Sequence, residues 1–119
     1  MILNWGKQQV ALLVGGSITS YPTWFMIGSG SGTVVATQTS LINPFDRQAI
    51  TAVDNSTINK TKWTGDWTSV EMSGNSLREF GICLSGATTT GSMWSRIGLP
   101  AISFDGTNEL RIEETWEVY

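Results

Sequence analysis

The sequence predicts an all-β domain: an antiparallel β-sandwich, jelly-roll-like, with one short N-terminal helix. Beyond Gly16, clusters of Gly, Ser and Thr recur at short intervals, and the segments between them have strand length and carry many β-branched and aromatic residues. Two of these segments alternate apolar and polar side chains with the period of a pleated strand. With 40% hydrophobic and only 14% charged residues, the 119-residue chain has enough apolar surface for one packed core, so residues 1–119 are expected to form a single domain.

The elements follow in order. Asn4 is positioned to cap a helix running to Val14, with Val10, Leu13 and Val14 on the face that docks on a sheet and Gly15-Gly16 as its end. Gly6 weakens this helix. Pro22 to Ile27 is nearly continuous in apolar character, which predicts a strand covered on both faces or lying at an interface, and Gly28-Ser29-Gly30-Ser31-Gly32 then reads as a turn or hairpin tip. Thr39 to Arg47 reads as a connection stiffened by Pro44, and Gln48 to Val53 as a strand. Lys62 to Val70 alternates, with Trp63, Gly65 and Trp67 on one face and a close approach of another group expected at the glycine. Leu77 to Leu84 sets Phe80, Ile82 and Leu84 against Glu79, Gly81 and Cys83, and Ser92 to Ile97 carries Trp94. Ala101 to Phe104 and Glu109 to Val118, joined by the turn formers Asp105-Gly106-Thr107-Asn108, predict a hairpin. In its second arm Leu110, Ile112, Trp116 and Val118 share a face, and only Glu114 breaks the pattern.

Composition also narrows function. The chain has no histidine, which removes the commonest general base and transition-metal ligand, and its serines stand in no Ser-x-x-Lys arrangement. No metal or cofactor motif is evident, and the reading is that the chain is not an enzyme. A net charge of −3 without a Lys/Arg cluster argues against nucleic acid as partner. The apolar stretch Val10 to Val14 is too short for a membrane span. Cys83, inside Phe80-Gly81-Ile82-Cys83-Leu84, reads as a small buried hydrophobe. Six tryptophans point instead to large contact surfaces, each ring removing about 150–250 Å² from water. Trp24, Phe25, Met26, Trp63 and Trp67 are the candidate interface anchors, because binding energy concentrates in a few desolvated aromatics. Four charges stand beside apolar or glycine-rich sequence: Arg47, Glu71, Glu79 and Arg96. A carboxylate and an arginine from this set, brought together, would form a structural ion pair that fixes strand register.

The order of segments resembles a family. Gly15-Gly16, then Tyr21-Pro22-Thr23-Trp24-Phe25-Met26-Ile27-Gly28-Ser29-Gly30, then Thr39-Ser40-Leu41 up to Arg47, Glu71-Met72-Ser73-Gly74, Glu79-Phe80-Gly81, Trp94-Ser95-Arg96 and Asp105-Gly106-Thr107 look like the small structural proteins of tailed bacteriophages. The chain is especially similar to the N-terminal, virion-attaching domains of tail-collar fibre proteins. The resemblance implies a virion protein, assembled in the host cytoplasm, whose partners are its own copies, in an oligomer such as a trimer, and capsid or tail components. Asn43-Pro44 stands where an acidic residue is usual, and the chain stops at Tyr119 instead of continuing into a shaft. Both departures favour a stand-alone piece: a capsid decoration or cement protein, a neck or tail component, or a fibre adaptor. A carbohydrate-binding β-sandwich, with exposed Trp rings stacking on sugars, is the alternative expectation.

Overall fold

A computed structural model describes residues 1–84 and 93–119. The elements are α1 (Asn4–Val14), β1 (Trp24–Gly28), β2 (Pro44–Ala49), β3 (Ala52–Asp54), β4 (Lys60–Trp67), α2 (Ser69–Met72), β5 (Ser76–Cys83), β6 (Ile97–Ser103) and β7 (Leu110–Glu117). Among the described residues the strands form two antiparallel sheets, of order β2-β1-β5-β6 and β3-β4-β7. The chain is a β-sandwich with one short N-terminal helix, as its composition and turn rhythm predict.

The inner faces of the two sheets close the main core. β1 and β5 contribute Phe25, Ile27 and Ile82, and the opposite sheet contributes Trp63, Trp67 and Ile112. The alternation of β4 delivers Trp63, Gly65 and Trp67 to this core, and Gly65 is where the Phe25 ring arrives: a Cβ there would lie 2.5 Å from Phe25 Cδ2. Phe25 meets Trp67 edge to face at 6.4 Å. Along one side of the sandwich, Trp5, Trp94, Trp116 and Trp63 form a continuous row with successive centroids 6.0, 6.2 and 5.2 Å apart. These distances lie in the range where aromatic pairs attract beyond their simple burial.

The β2-β1-β5-β6 sheet is covered on its second face as well, by residues near the N-terminus and by the β1–β2 connection. Leu3, Met26, Leu41, Cys83 and Met93 make a smaller core there. The apolar run of β1 is explained by this double cover, since Phe25 and Ile27 point to one core and Met26 to the other.

Several expectations are corrected. The helix N-cap is Leu3, not Asn4, and it makes no side-chain cap bond. Leu3 is held in place by its N–H donating to Trp94 O and by full burial. Gly6 is a contact point: a Cβ there would lie 2.3 Å from Trp94 O. The helix docks through Trp5, Gly6 and Leu13, while Val10 and Val14 face outward. Residues 39–53 divide differently, into β2 of one sheet and β3 of the other, with Pro44 tolerated as the first residue of an edge strand. The predicted hairpin is absent: β6 pairs with β5 and β7 with β4, so Asp105–Asn108 carries the chain from one sheet to the other. Ser92, the start of another predicted segment, lies outside the described residues; Met93 and Ser95 make isolated bridges to Cys83 and Ile2.

Gly65→Ala is expected to destabilise the fold by about 1–3 kcal/mol, because the methyl group meets the Phe25 ring inside a packed core. Gly98→Ala, where the nearest atom would be 3.7 Å away, should cost less than half as much. Urea denaturation of the two variants measures the difference.

Candidate functional site

The pleat of β5 turns Cys83, Gly81 and Glu79 toward the layer that covers the outer face of its sheet. Glu79 is completely buried there. Its Oε1 accepts from the N–H groups of Gly30 (3.1 Å) and Asn43 (2.7 Å), and its Oε2 from the N–H of Ile42 (3.0 Å) and from Arg96 Nε (2.9 Å). Three backbone amides of one long loop are thus tied to a single carboxylate. A neutral side chain of this shape supplies fewer acceptor sites, so the anion is what the loop requires. The glycines of the loop are needed for the approach, since a Cβ at Gly28 or Gly30 would lie 2.6 or 2.5 Å from Glu79 Oε1. The segment expected to be a hairpin tip is therefore folded down onto β5.

Arg96 is equally sealed from solvent. Its Nη1 donates to Gln38 Oε1 (3.2 Å) and Gly32 O (3.5 Å), and its backbone N–H donates to Met1 O. The ion pair therefore joins β5, the β1–β2 loop and the N-terminal segment. Of the four charges singled out by the sequence, Glu79 and Arg96 meet. Arg47 lies two strands from Glu79, buried, with Nη1 4.0 Å from Cys83 Sγ. Glu71 is corrected: it is exposed, makes no ion pair among the described residues, closes a capping box with Thr68 at the start of α2, and accepts from Gln48 Nε2. The signal Thr68-x-x-Glu71 is legible in the sequence.

The interface anchors are also corrected. Phe25, Met26, Trp63 and Trp67 are buried in the chain's own cores, and Trp24 is half-buried against the smaller one. A domain of this size needs its largest side chains inside, and three of the six indoles, Trp63, Trp67 and Trp94, are buried. The apolar surface left outside comes from other residues. Val10 and Val14, one helical turn apart on α1, face solvent together, Val14 at 86% exposure, and Val118 beyond β7 is 73% exposed. Ile2, Val10, Trp116 and Val118 line an apolar groove of about 230 Å³ between α1 and the end of β7.

Next to that groove lies the residue that broke the alternation of β7. Glu114 sits opposite Trp63 in the β4–β7 ladder, on the core side, and is only 5% exposed. Its Oε2 accepts from Ser95 Oγ (2.8 Å) and Trp116 Nε1 (2.7 Å), while its Oε1 has no partner among the described residues. Burial pushes its pKa above the ordinary 4.5, against the two hydrogen bonds and the nearby Met1 ammonium, which favour the anion. Glu114, Ser95, Ile2 and Trp116 line a cavity of about 230 Å³. Among the described residues no group of three or more His, Cys, Asp or Glu is placed to hold a metal ion, and no helix is long and apolar enough to cross a membrane.

No family model, curated protein or solved structure matches this chain.

Glu79→Gln is expected to cost about 3–5 kcal/mol, because it leaves the buried Arg96 charge without its counterion. Hydrogen exchange should then accelerate at the amides of Gly30, Ile42 and Asn43 more than at β4. For Glu114 the native pKa is raised, so the unfolded chain loses this proton first as pH rises. Its contribution to stability is therefore full below about 4.5, falls as pH climbs toward the native pKa, and is level above it. Wild-type stability minus that of Glu114→Gln, followed by thermal melts across pH, should decline through that window.

Proposed function

We propose that this chain is a structural protein of a tailed-bacteriophage particle and acts by binding its own copies and a neighbouring particle protein. The observation that carries the reading is the outward apolar face of α1. A helix this short is marginal alone and ordinarily buries its apolar stripe against its own domain. Here Val10 and Val14 are turned away from the core, and Val10 lines a groove with the exposed Val118 and the half-buried Trp116. Contiguous apolar surface of that kind marks a contact with another macromolecule. The resemblance to virion-attaching domains supports the same reading, because the segments that carry it, Gly28-Ser29-Gly30, Glu79-Phe80-Gly81 and Trp94-Ser95-Arg96, converge on one buried ion pair. On this reading that pair is the rigid frame, and the α1–β7 surface is what the frame presents.

Val10→Lys combined with Val14→Lys should leave the melting temperature nearly unchanged, since neither side chain is buried, and should weaken association at least tenfold in analytical ultracentrifugation. Purified particles encoded by the same genome should contain the wild-type chain by mass spectrometry. A chain that stays monomeric at high concentration and is absent from particles would overturn the proposal.

A further inference from the structure

The register of β5 against β6 breaks at Arg78. Leu77 pairs with Ile102 and Glu79 with Gly98, so Leu99, Pro100 and Ala101 stand opposite a single residue. An irregularity of this kind re-aims a side chain, and Pro100 has no N–H with which to restore the ladder. Leu77 goes to the main core and Glu79 is buried beneath the β1–β2 loop, while Arg78 between them is exposed. There it lines a cleft of about 340 Å³ between β6 and the glycine-rich start of the β1–β2 loop. Its guanidinium makes no ion pair and no hydrogen bond among the described residues, whereas the other exposed arginine, Arg111, is held by Asp66. No other residue lining the cleft is charged.

We infer that this cleft binds one carboxylate of a neighbouring polypeptide, held by the Arg78 guanidinium beside the apolar wall of Val34, Leu99 and Pro100. A cation without a counterion, in otherwise neutral surroundings, selects an anion, and the planar fork of a guanidinium fits the two oxygens of a carboxylate. A single cation on a chain of net charge −3 matches one negative charge, whereas a nucleic acid backbone calls for several cations together. No aromatic ring lines the cleft, so a sugar finds no stacking platform there. A polypeptide does find a surface: β6 is the last strand of its sheet among the described residues, and from Ile97 to Ser103 it carries no charged residue. The cleft is also shaped in advance. Gly30 donates its N–H to Glu79 and the Gly32 carbonyl accepts from Arg96, so the buried ion pair that fixes the loop fixes this wall too. On the opposite wall, Gly98 leaves open the space that a side chain would fill toward Val34, since a Cβ there would lie 3.7 Å from Val34 Cγ2. The site shares no residue with the α1–β7 groove, and its chemistry does not rest on the proposed function.

The test uses the full chain and three probes of similar size: N-acetylglutamate α-amide, which has a side-chain carboxylate, N-acetylglutamine, which has a terminal carboxylate, and N-acetylglutamine amide, which has neither. The backbone amides of Ser31, Gly32 and Gly98 are followed by ¹H–¹⁵N NMR. The expected result is a saturable shift of these resonances by a carboxylate probe, with binding weaker by about fivefold or more for the neutral amide and for the same carboxylate in Arg78→Gln. That variant breaks no ion pair or hydrogen bond among the described residues and should melt as the wild type does. The tighter of the two carboxylates supports the inference and identifies its source, an acidic side chain or a chain terminus. Equal binding of the neutral amide, or no saturable shift, would overturn the inference whether or not the variant folds; so would undiminished binding by a folded Arg78→Gln. Tighter binding of glucuronate or inorganic phosphate than of both carboxylate probes would overturn the assignment to a polypeptide. A chain that binds the carboxylate but stays monomeric and absent from particles would overturn the assembly reading and leave the cleft standing, and the opposite pair of results would do the reverse.

Discussion

The carboxylate of Glu79, enclosed by three backbone amides and the Arg96 guanidinium, is the constraint on which the rest of the domain depends. A buried ion pair is not by itself a source of stability, because desolvating two charges offsets most of their attraction. What this one adds is definition. The loop between β1 and β2 has little regular structure, and its Gly, Ser and Thr residues offer few apolar anchors. Tying three of its amides to one anion on the central strand β5 fixes its path, and that path roofs the smaller core of Met26, Leu41 and Cys83. Arg96 then connects the same point to the N-terminal segment through its backbone, so Leu3 and α1 inherit their position from it.

The main core is organised by ring packing. Trp5, Trp94, Trp116 and Trp63 bridge α1, the segment before β6, β7 and β4, which are remote in sequence. Because interiors are packed near crystal density, a row of such large rings leaves little freedom to its neighbours. The buried Gly6 contact against Trp94 has the same sense: the helix must come close enough to seat Trp5 on Trp94, and only glycine permits the approach. Ion pair and indole row together hold α1 from two directions. The apolar face it turns outward is therefore held in a defined position by the fold beneath it.

The sequence was legible where the signal is local and periodic. The alternation of Trp63, Gly65 and Trp67 named the core face of β4, and the dense Gly, Ser and Thr punctuation named the fold class. It was opaque where the partner is distant. Nothing local distinguishes a glycine-rich hairpin tip from a loop folded onto a glutamate 49 residues away. Asp105–Asn108 has the composition of a hairpin turn, yet each flanking arm finds its hydrogen bonds in another strand; composition reports the turn, not which edge is open to receive each arm. The tryptophans misled for a related reason. Indole is favoured both in cores and at interfaces, so its abundance identifies a need for contact area without saying on which side of the surface it is met. Val10 and Val14, read as a docking face, show the converse error, because a stripe of apolar residues does not reveal whether its partner belongs to the same chain.

Glu114 shows how a broken pattern can carry more information than the pattern. In a strand whose alternate residues are otherwise apolar, a carboxylate opposite Trp63 is costly unless both oxygens are occupied. The fold occupies one, through Ser95 and Trp116, and keeps the other buried without a hydrogen-bond partner among the described residues. If Glu114 served only to anchor Ser95 and the Trp116 indole, a glutamine could accept both bonds without carrying a charge into the core. A carboxylate exceeds that structural requirement, and the excess is an acceptor able to become an anion. Burial then ties the charge of this group to the fold, since the interior favours the neutral acid and the unfolded chain the anion.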